Sequence, residues 1–390
     1  MQPPPERASI DDAVGGLTLA DVLRRNASDH PDAGALRWKD RETWEVVTWR
    51  AYREIVREVA GGLIDLGVGR GDAVGIIAGN RPEHLIADLG IIHAGGVPVS
   101  FYPTMAPSQL ADVIADCGAQ VIVVEDRDHA ARLHAADPEG LRATVVVEGD
   151  PGPDAMAWDE LRERGRRLIA ERPGAVDERA SEIVSSDPAT IIYTSGTSGD
   201  PKGVVLSHRA TVWTNESADR YLRRAAAHQG VPYPDRRRMV SYLPLAHIAE
   251  RQVTHYAALW GANEVTFCPD PTTLPGILVE TRPHFFVGVP RVWEKVKARI
   301  EERLRETPSA ARRRLGGAAL RLGAEAAQAA EAGRRLPLLR RLQHRVLERV
   351  VLRRLLAALG LDEVIVALSG AAHIDPDVVW FFRGMGLPLF

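Results

Sequence analysis

Short apolar runs alternate with amphipathic helical segments in the first part of the chain, and this rhythm restricts the fold more than any other feature. The apolar runs lie at 73–78, 97–101, 121–124 and 144–147. Helical periodicity fills the intervals at 84–94 and 108–117. Strands that are apolar on both faces and joined by helices form parallel sheets covered on both sides. The sequence therefore predicts an α/β fold of stacked αβ subdomains with largely parallel sheets.

Capping and turn residues define the elements on either side. Thr18 can cap a helix over 17–26, and Thr48 can cap one that runs to about Leu66 and stops at Gly67. Further strands are expected at 43–48, 264–268, 283–287 and 363–368. Residues 1–16 carry three prolines and several charges, and we expect a loose leader there.

A chain of 390 residues is too long for one small core. We predict two α/β subdomains, 17–180 and 181–390. Residues 148–188 mix charges with prolines and are expected to form a connecting surface region. A stretch rich in Ala, Leu, Arg and Glu predicts a helical insertion over 291–359.

The helical insertion carries most of the positive charge. Residues 291–354 contain 18 Lys and Arg against 7 Asp and Glu, an excess of 11, although the whole chain has a net charge of −3. Such a region can contact anionic lipid headgroups. The alternative is a solvated helical hairpin whose arginine stems cover apolar surface.

Composition excludes several classes of protein. A slightly negative net charge argues against a general nucleic-acid binder. Cys117 and Cys268 are the two cysteines, which fits a reducing compartment without a disulfide framework. No apolar run approaches the roughly 18 residues that span a bilayer. We expect a soluble cytoplasmic protein, with membrane association through the basic region and a homo-oligomer both left open.

The segment 189–208 is an apolar strand, a hydroxyl- and glycine-rich loop with one lysine, and a second apolar run. Its polar groups are Thr194, Ser195, Thr197, Ser198 and Lys202, and its glycines are Gly196, Gly199 and Gly203. Glycine frees the backbone so that N–H groups can converge on an anion, which indicates a polyphosphate site. The loop is not a Walker A motif, because Pro201 precedes the lysine. The alternative is a plain surface hairpin.

This loop resembles the phosphate-binding signature of the acyl-adenylate-forming superfamily, in which Tyr-Thr-Ser-Gly-Thr-Thr-Gly-x-Pro-Lys-Gly is usual; only Ser198 departs. Two further segments are similar to motifs of the same family. Residues 241–251, Ser-Tyr-Leu-Pro-Leu-Ala-His-Ile-Ala-Glu-Arg, resemble the version found in long-chain fatty acyl-CoA synthetases. Residues 369–377 resemble the Ser-Gly-Ala-Ala-Pro segment of the adenine pocket, with His373 in place of proline.

The resemblance implies a long-chain fatty acid–CoA ligase that uses ATP, Mg²⁺ and coenzyme A. By resemblance, Thr194 lies on the Mg²⁺ side of the nucleotide, and Lys202 contacts the β- and γ-phosphates and counts as catalytic. The other implied phosphate-loop residues are Ser195, Gly196, Thr197, Ser198 and Gly199, and those of the adenine pocket are Ser369, Gly370, Ala371 and Ala372. His247 is implied near the acyl carboxylate and the α-phosphate, and with Lys202 it is a predicted catalytic residue.

The sequence departs from the family in two places. It stops at Phe390, before the family's next motif and its C-terminal domain, so we expect an N-terminal fragment that is inactive alone. The aromatic acyl gate does not carry over, because Arg251 stands four residues after His247. Glu250 and Arg251 are candidates for an ion pair. An adenylation enzyme for another carboxylic acid, or a non-catalytic nucleotide- or acyl-binding paralogue, stays open.

Overall fold

A computed structural model describes residues 5–195 and 201–390 of the chain, in two compact units. Unit 1 comprises the chain up to Tyr221 together with Ser241–Pro269, and unit 2 comprises Leu222–Val240 and Asp270–Phe390. The predicted boundary between residues 180 and 181 lies within unit 1. Each unit combines helices with mainly parallel strands, so the predicted α/β class is confirmed.

The strands are short and mostly apolar. They are β1 (Gly34–Asp40), β2 (Thr43–Thr48), β3 (Ala73–Ile77), β4 (Val97–Ser100), β5 (Val121–Val124), β6 (Ala143–Val146), β7 (Met156–Ala157), β8 (Pro188–Ser195), β9 (Pro201–Ser207), β10 (Arg238–Ser241), β11 (Glu264–Phe267), β12 (Phe285–Gly288) and β13 (Val366–Ser369). The strands predicted at 43–48 and 121–124 have these limits.

A seven-stranded sheet lies entirely in unit 1, in the order β7-β6-β5-β3-β4-β8-β9. Every neighbouring pair is parallel except β8 and β9, which form an antiparallel hairpin. Its core includes Val99, Phe101, Ile122 and Leu133, all essentially buried. In unit 1, β1 also pairs with β11 in parallel and with β2 antiparallel, and in unit 2 β12 pairs in parallel with β10 and β13.

The described residues contain helices as well as strands, and several of the helices begin at residues that sequence capping rules favour. They are α1 (Pro5–Ala13), α2 (Leu19–Asp29), α3 (Trp49–Asp65), α4 (Pro82–His93), α5 (Pro107–Cys117), α6 (Arg127–Ala136), α7 (Trp158–Glu171), α8 (Ala175–Ser181), α9 (His208–Gln229), α10 (Ile248–Glu250), α11 (Ala257–Trp260), α12 (Leu274–Thr281), α13 (Pro290–Glu306), α14 (Ala310–Glu331), α15 (Leu338–Leu347), α16 (Arg353–Ala358) and α17 (Pro376–Gly384). Two segments are π-helical, Arg251–Tyr256 and Glu348–Leu352. Thr18 and Thr48 cap α2 and α3, as predicted.

Two sequence-based expectations were wrong. Residues 5–13 form α1 rather than a loose leader, and Ile10 is buried on it. The expected connecting surface region contains α7, which packs closely on α3. A Cβ added at Gly165 would lie 1.7 Å from the carbonyl oxygen of Glu58, so these two helix backbones touch. Charged residues on the outer face of α7 concealed this packing stripe, because mixed charge is equally typical of surface helices and loops.

The predicted helical insertion, residues 291–359, coincides with α13 to α16 in unit 2. Its second helix, α14, packs against α17 at a glycine contact, where a Cβ added at Gly384 would lie 2.3 Å from the carbonyl carbon of Gly323. Within residues 5–195 and 201–390, no helix is both long enough and apolar enough to cross a membrane.

Candidate functional site

The ends of the predicted phosphate loop are held by the β8–β9 hairpin. The hairpin register pairs Thr194 with Lys202 and Tyr193 with Gly203. The side chains of Thr194 and Lys202 are exposed, so both are available to a ligand. The predicted site residues Gly196, Thr197, Ser198 and Gly199, and the side chain of Ser195, lie outside the described part of the structure.

Tyr193 anchors this hairpin to the body of unit 1. Its hydroxyl donates a 2.5 Å hydrogen bond to Asp116 on α5, and its ring is largely buried. A Cβ on Gly203 would lie 3.2 Å from the Tyr193 ring carbon Cζ. Glycine at 203 therefore allows the close packing of β9 against Tyr193, and a side chain there would force the ring to shift. The predicted use of its backbone freedom was wrong, because Gly203 does not have a positive φ.

His247 lies in the turn between β10 and α10 in unit 1, and its ring is exposed. Its Nδ1 accepts a 3.1 Å hydrogen bond from the N–H of Ala249, so His247 is the N-cap of α10. The neutral ring then carries its proton on Nε2, which leaves that nitrogen as the available donor. The backbone holds this turn through an N–H of His247 bonded to the carbonyl of Pro244 at 2.9 Å.

Glu250 is buried three residues after His247. Its Oε1 accepts hydrogen bonds from Ser241 Oγ at 2.8 Å, Thr254 Oγ1 at 2.9 Å and the Tyr242 N–H at 3.1 Å. Asn80 Nδ2 donates to the same Ser241 hydroxyl at 2.7 Å. Burial raises the pKa of Glu250 to about 7, although these donors pull it down. Glu250 therefore ties the turn that carries His247 to the strand before it.

Arg251 is also buried, and it forms a separate cluster. Its guanidinium pairs with Asp88 and donates to Ser100 Oγ at 2.7 Å and to the Tyr256 hydroxyl at 3.0 Å. His255 Nε2 is 2.9 Å from the other Asp88 carboxylate oxygen. The predicted Glu250–Arg251 ion pair was wrong, because Glu250 accepts from nearby residues of its own segment, whereas Arg251 pairs with Asp88 on α4.

Both clusters adjoin the carboxyl ends of parallel strands in the seven-stranded sheet. Ser100 is the last residue of β4, and Asn80 follows β3. Open α/β sheets bind ligands at this edge. The sequence analysis missed Asn80, His84 and Asp88. A signal for His84 and Asp88 was present, because these two polar residues lie four apart in the mainly apolar stretch 84–92 of α4. His84 Nε2 is 2.9 Å from Ser100 Oγ, and burial followed by the charge of Arg251 lowers its pKa to about 3.

The predicted adenine-pocket residues lie in unit 2, where Ser369 ends β13 and the other three follow it. Gly370, Ala371 and Ala372 are exposed, and Ala371 has a left-handed φ of 69°. Non-glycine residues rarely adopt this conformation, and such strain clusters at functional sites. Ser369 Oγ is buried and has no hydrogen-bond partner among the described residues. Asp375 follows this segment and caps α17 with its side chain.

Metal ligands are sparse in the described residues. Within residues 5–195 and 201–390, no three His, Cys, Asp or Glu side chains are grouped to hold an ion. The Thr194 hydroxyl is the one predicted Mg²⁺-side donor among these ranges. The catalytic, nucleotide and metal roles of all these residues stay predictions.

Comparison with known proteins decides the family. The sequence profile described as AMP-binding enzyme matches residues 23–389. The chain belongs to the AMP-binding enzyme family. This confirms the resemblance of its three motifs to acyl-adenylate-forming enzymes.

Relatives in the family are ligases by name. The chain is 30% identical to the long-chain-fatty-acid–CoA ligase ACSBG2 of Xenopus laevis, over 96% of this chain and 50% of that protein. It is 32% identical to the long-chain-fatty-acid–CoA ligase FadD15 of Mycobacterium tuberculosis, over 95% and 59% respectively. The chain thus spans about half the length of the curated relatives it matches.

Solved structures show the same fold. An anthranilate CoA ligase, AuaEII, in complex with anthranoyl-AMP aligns with a TM-score of 0.67 at 16% identity, covering 97% of this chain and 60% of that one. The inhibitor-bound N-terminal domain of FACL13 from Mycobacterium tuberculosis aligns with a TM-score of 0.62 at 19% identity, covering 95% and 74%.

Proposed function

We propose that this chain supplies the nucleotide- and acyl-binding part of a long-chain fatty acid–CoA ligase. In this reaction the fatty acid carboxylate attacks the α-phosphate of ATP, pyrophosphate leaves, and the thiol of coenzyme A then displaces AMP. The observation that carries the proposal is the hairpin register that sets Thr194 opposite Lys202 at the two ends of the glycine-rich segment. The names of the relatives support a long acyl chain.

In unit 1, some of these residues would contact the ligand, and others would hold the contacting residues in place. The exposed ammonium of Lys202 provides a point charge for the phosphates, which is the main requirement when two anions must meet. His247 offers its Nε2–H beside them. The buried clusters of Glu250 and Arg251 hold the turn and the π-helical segment around His247, so that the ring is presented without reorganisation.

Mg²⁺ fits this donor set as a companion of the nucleotide. It usually keeps several waters and is bound through substrate phosphates and one or two carboxylates. In other nucleotide-binding loops a Ser or Thr hydroxyl also binds it. Thr194 supplies one neutral oxygen, which suits a metal held mainly by ATP. When bound, the ion would neutralise charge on the phosphates.

We place the protein in the cytoplasm. Both cysteines are free thiols, with Cys268 buried and Cys117 partly buried, which supports a reducing compartment. Cell fractionation checks this assignment, and recovery from an oxidising compartment would contradict it.

The test is ATP–pyrophosphate exchange dependent on added acid, with short, medium and long fatty acids compared. Exchange that is greatest with long chains, and is lost in Lys202→Ala but kept in Lys295→Ala, would support the proposal and overturn the expectation of a fragment that is inactive alone. Lys295→Ala removes an exposed lysine on α13 and is the matched control. Acyl-CoA formation is measured separately, because the two half-reactions can be lost independently. Exchange driven by an aryl or amino acid would assign a different substrate. Thermal stabilisation by fatty acid without exchange would assign a binding protein instead.

A further inference from the structure

The helix α15 leaves an apolar face uncovered. None of its residues from Leu338 to Leu347 is buried. The exposed fraction is 71% for Leu338, 69% for Leu339 and 60% for Val346. Large apolar side chains exposed in a contiguous series are unusual on soluble proteins and mark interaction sites.

The exposed side chains form two rows along the helix and its π-helical continuation. One row is apolar, with a residue at every fourth position: Leu338, Leu342, Val346 and Val350. The other row consists of arginines, also spaced four residues apart, and it begins one residue before Leu342. Its members are Arg341, Arg345, Arg349 and Arg353, all exposed. Residues four apart lie on the same face of a helix, so the two rows run side by side.

A third face of this helix meets the body of unit 2. Leu352 is buried, and His344 Nε2 is 3.3 Å from the carbonyl oxygen of Gly384. The helix is therefore fixed on one side, and the apolar and arginine rows occupy what remains. Residues 334–354 contain eight arginines and one acidic residue, Glu348.

We propose that α15 docks this chain onto an anionic membrane surface. The apolar row would enter the boundary between headgroups and acyl chains, and the arginine row would pair with lipid phosphates, as expected of an amphipathic basic helix. A groove of about 670 Å³ lies between α14 and α15 beside these rows. Apolar side chains line it together with polar ones, namely Leu322, Leu342, Val346, Arg321, Glu325 and Arg340.

Charge complementarity selects the membrane over a second copy of this chain. A two-fold interface brings the same patch of both copies together. The arginine rows would then face each other, and like charges at close range repel. An anionic bilayer satisfies both rows at once. This inference does not depend on the proposed ligase activity, and its test uses no nucleotide.

The experiment is co-sedimentation of the full 390-residue chain with phosphatidylcholine vesicles, with and without phosphatidylglycerol. We expect sedimentation only with the anionic lipid, and loss of it as the salt concentration rises from about 0.05 M to about 0.5 M, because salt screens the arginine contacts. Each arginine near the surface strengthens binding about fivefold. The double variant Arg341→Gln with Arg345→Gln should therefore bind more than tenfold more weakly.

Two further variants isolate the face. Arg167→Gln with Arg172→Gln removes the same charge from exposed positions at the end of α7 in unit 1, and it should bind vesicles as the parent does. Leu338→Gln with Leu342→Gln keeps every charge and should still weaken binding. Circular dichroism confirms that each variant is folded.

Three results would overturn the inference. One is no sedimentation of the folded parent at low salt. Another is an equal loss of binding in the α7 and α15 arginine variants, which would assign only a general charge effect. The third is a concentration-dependent doubling of mass that Leu338→Gln with Leu342→Gln abolishes, which would assign the face to a second copy.

Discussion

The guanidinium of Arg251 and the carboxylate of Asp88 form an ion pair closed off from water, with side-chain exposures of 1% and 0%. Asp88 lies on α4, and Arg251 begins the π-helical segment that follows the His247 turn. A buried pair of this kind holds α4 and the π-helical segment together, because moving them apart would leave each charge buried without a counter-ion.

Replacing Arg251 with methionine should therefore destabilise unit 1 strongly. Arg251→Met keeps much of the apolar stem but leaves Asp88 buried without its counter-ion, and we expect the free energy of unfolding to fall by about 3–5 kcal/mol. Urea unfolding followed by tryptophan fluorescence measures the change.

The matched control is the exposed pair between Arg50 and Asp32, with side-chain exposures of 65% and 87%. Arg50→Met should cost less than about 1 kcal/mol, because water already solvates both charges. A similar fall in the free energy of unfolding in Arg251→Met and Arg50→Met would contradict the prediction, because the buried pair would then stabilise the protein no more than the exposed one.

Glu250 should make stability depend on pH. An unfolded glutamate ionises near 4.5, whereas native Glu250 keeps its proton until about pH 7. The native state therefore binds more protons between these values, and the free energy of unfolding falls as pH rises through this window, by about 3 kcal/mol in all.

Glu250→Gln removes this contribution and keeps an oxygen that can accept from the same donors. Urea unfolding at several pH values between 5 and 8 should show that the variant loses less stability than the parent on going to high pH. Glu171→Gln, at the exposed end of α7, should leave the parent profile unchanged. Parallel profiles for the parent and Glu250→Gln would contradict the prediction.

His247 should affect the rate of adenylation more than the binding of ATP. We expect His247→Ala to slow fatty-acid-dependent pyrophosphate exchange by about 100–1,000-fold, as removal of one positioned donor does, with little change in the Kd for ATP. His247→Asn separates this role from capping, because asparagine is a good N-cap and can still accept from Ala249. Parent-level exchange in His247→Asn would show that His247 acts only as the N-cap of α10 and not in adenylation.

Gly165 should tolerate no side chain. Gly165→Ala puts a methyl group against the α3 backbone at Glu58, and separating the helices should cost about 3 kcal/mol or more. Gly276 on α12 is the control, since an added Cβ there meets nothing within 4 Å. Gly276→Ala should be neutral or stabilising by up to about 1 kcal/mol. Thermal unfolding measures both, and equal melting temperatures for the two variants would refute the close α3–α7 contact.

Local signals were sufficient for much of the fold. The strand at 121–124 and the caps Thr18 and Thr48 could be predicted because each depends on side chains within a few residues. The helices α7 and α8 could not, because their positions rest on contact with α3, about a hundred residues away in sequence. The family motifs located the His247 turn and the hairpin ends, but not the buried groups that support them.

The sequence by itself determined the alternation of strands and helices, the family, and the residue types at the hairpin and the turn. These follow from side-chain periodicity and short-range spacing. Tertiary structure alone decided that Glu250 and Arg251, adjacent in the chain, belong to different buried clusters. The partner of Arg251 is Asp88, 163 residues away, and only the packing of the π-helical segment against α4 excludes water and brings the two charges together.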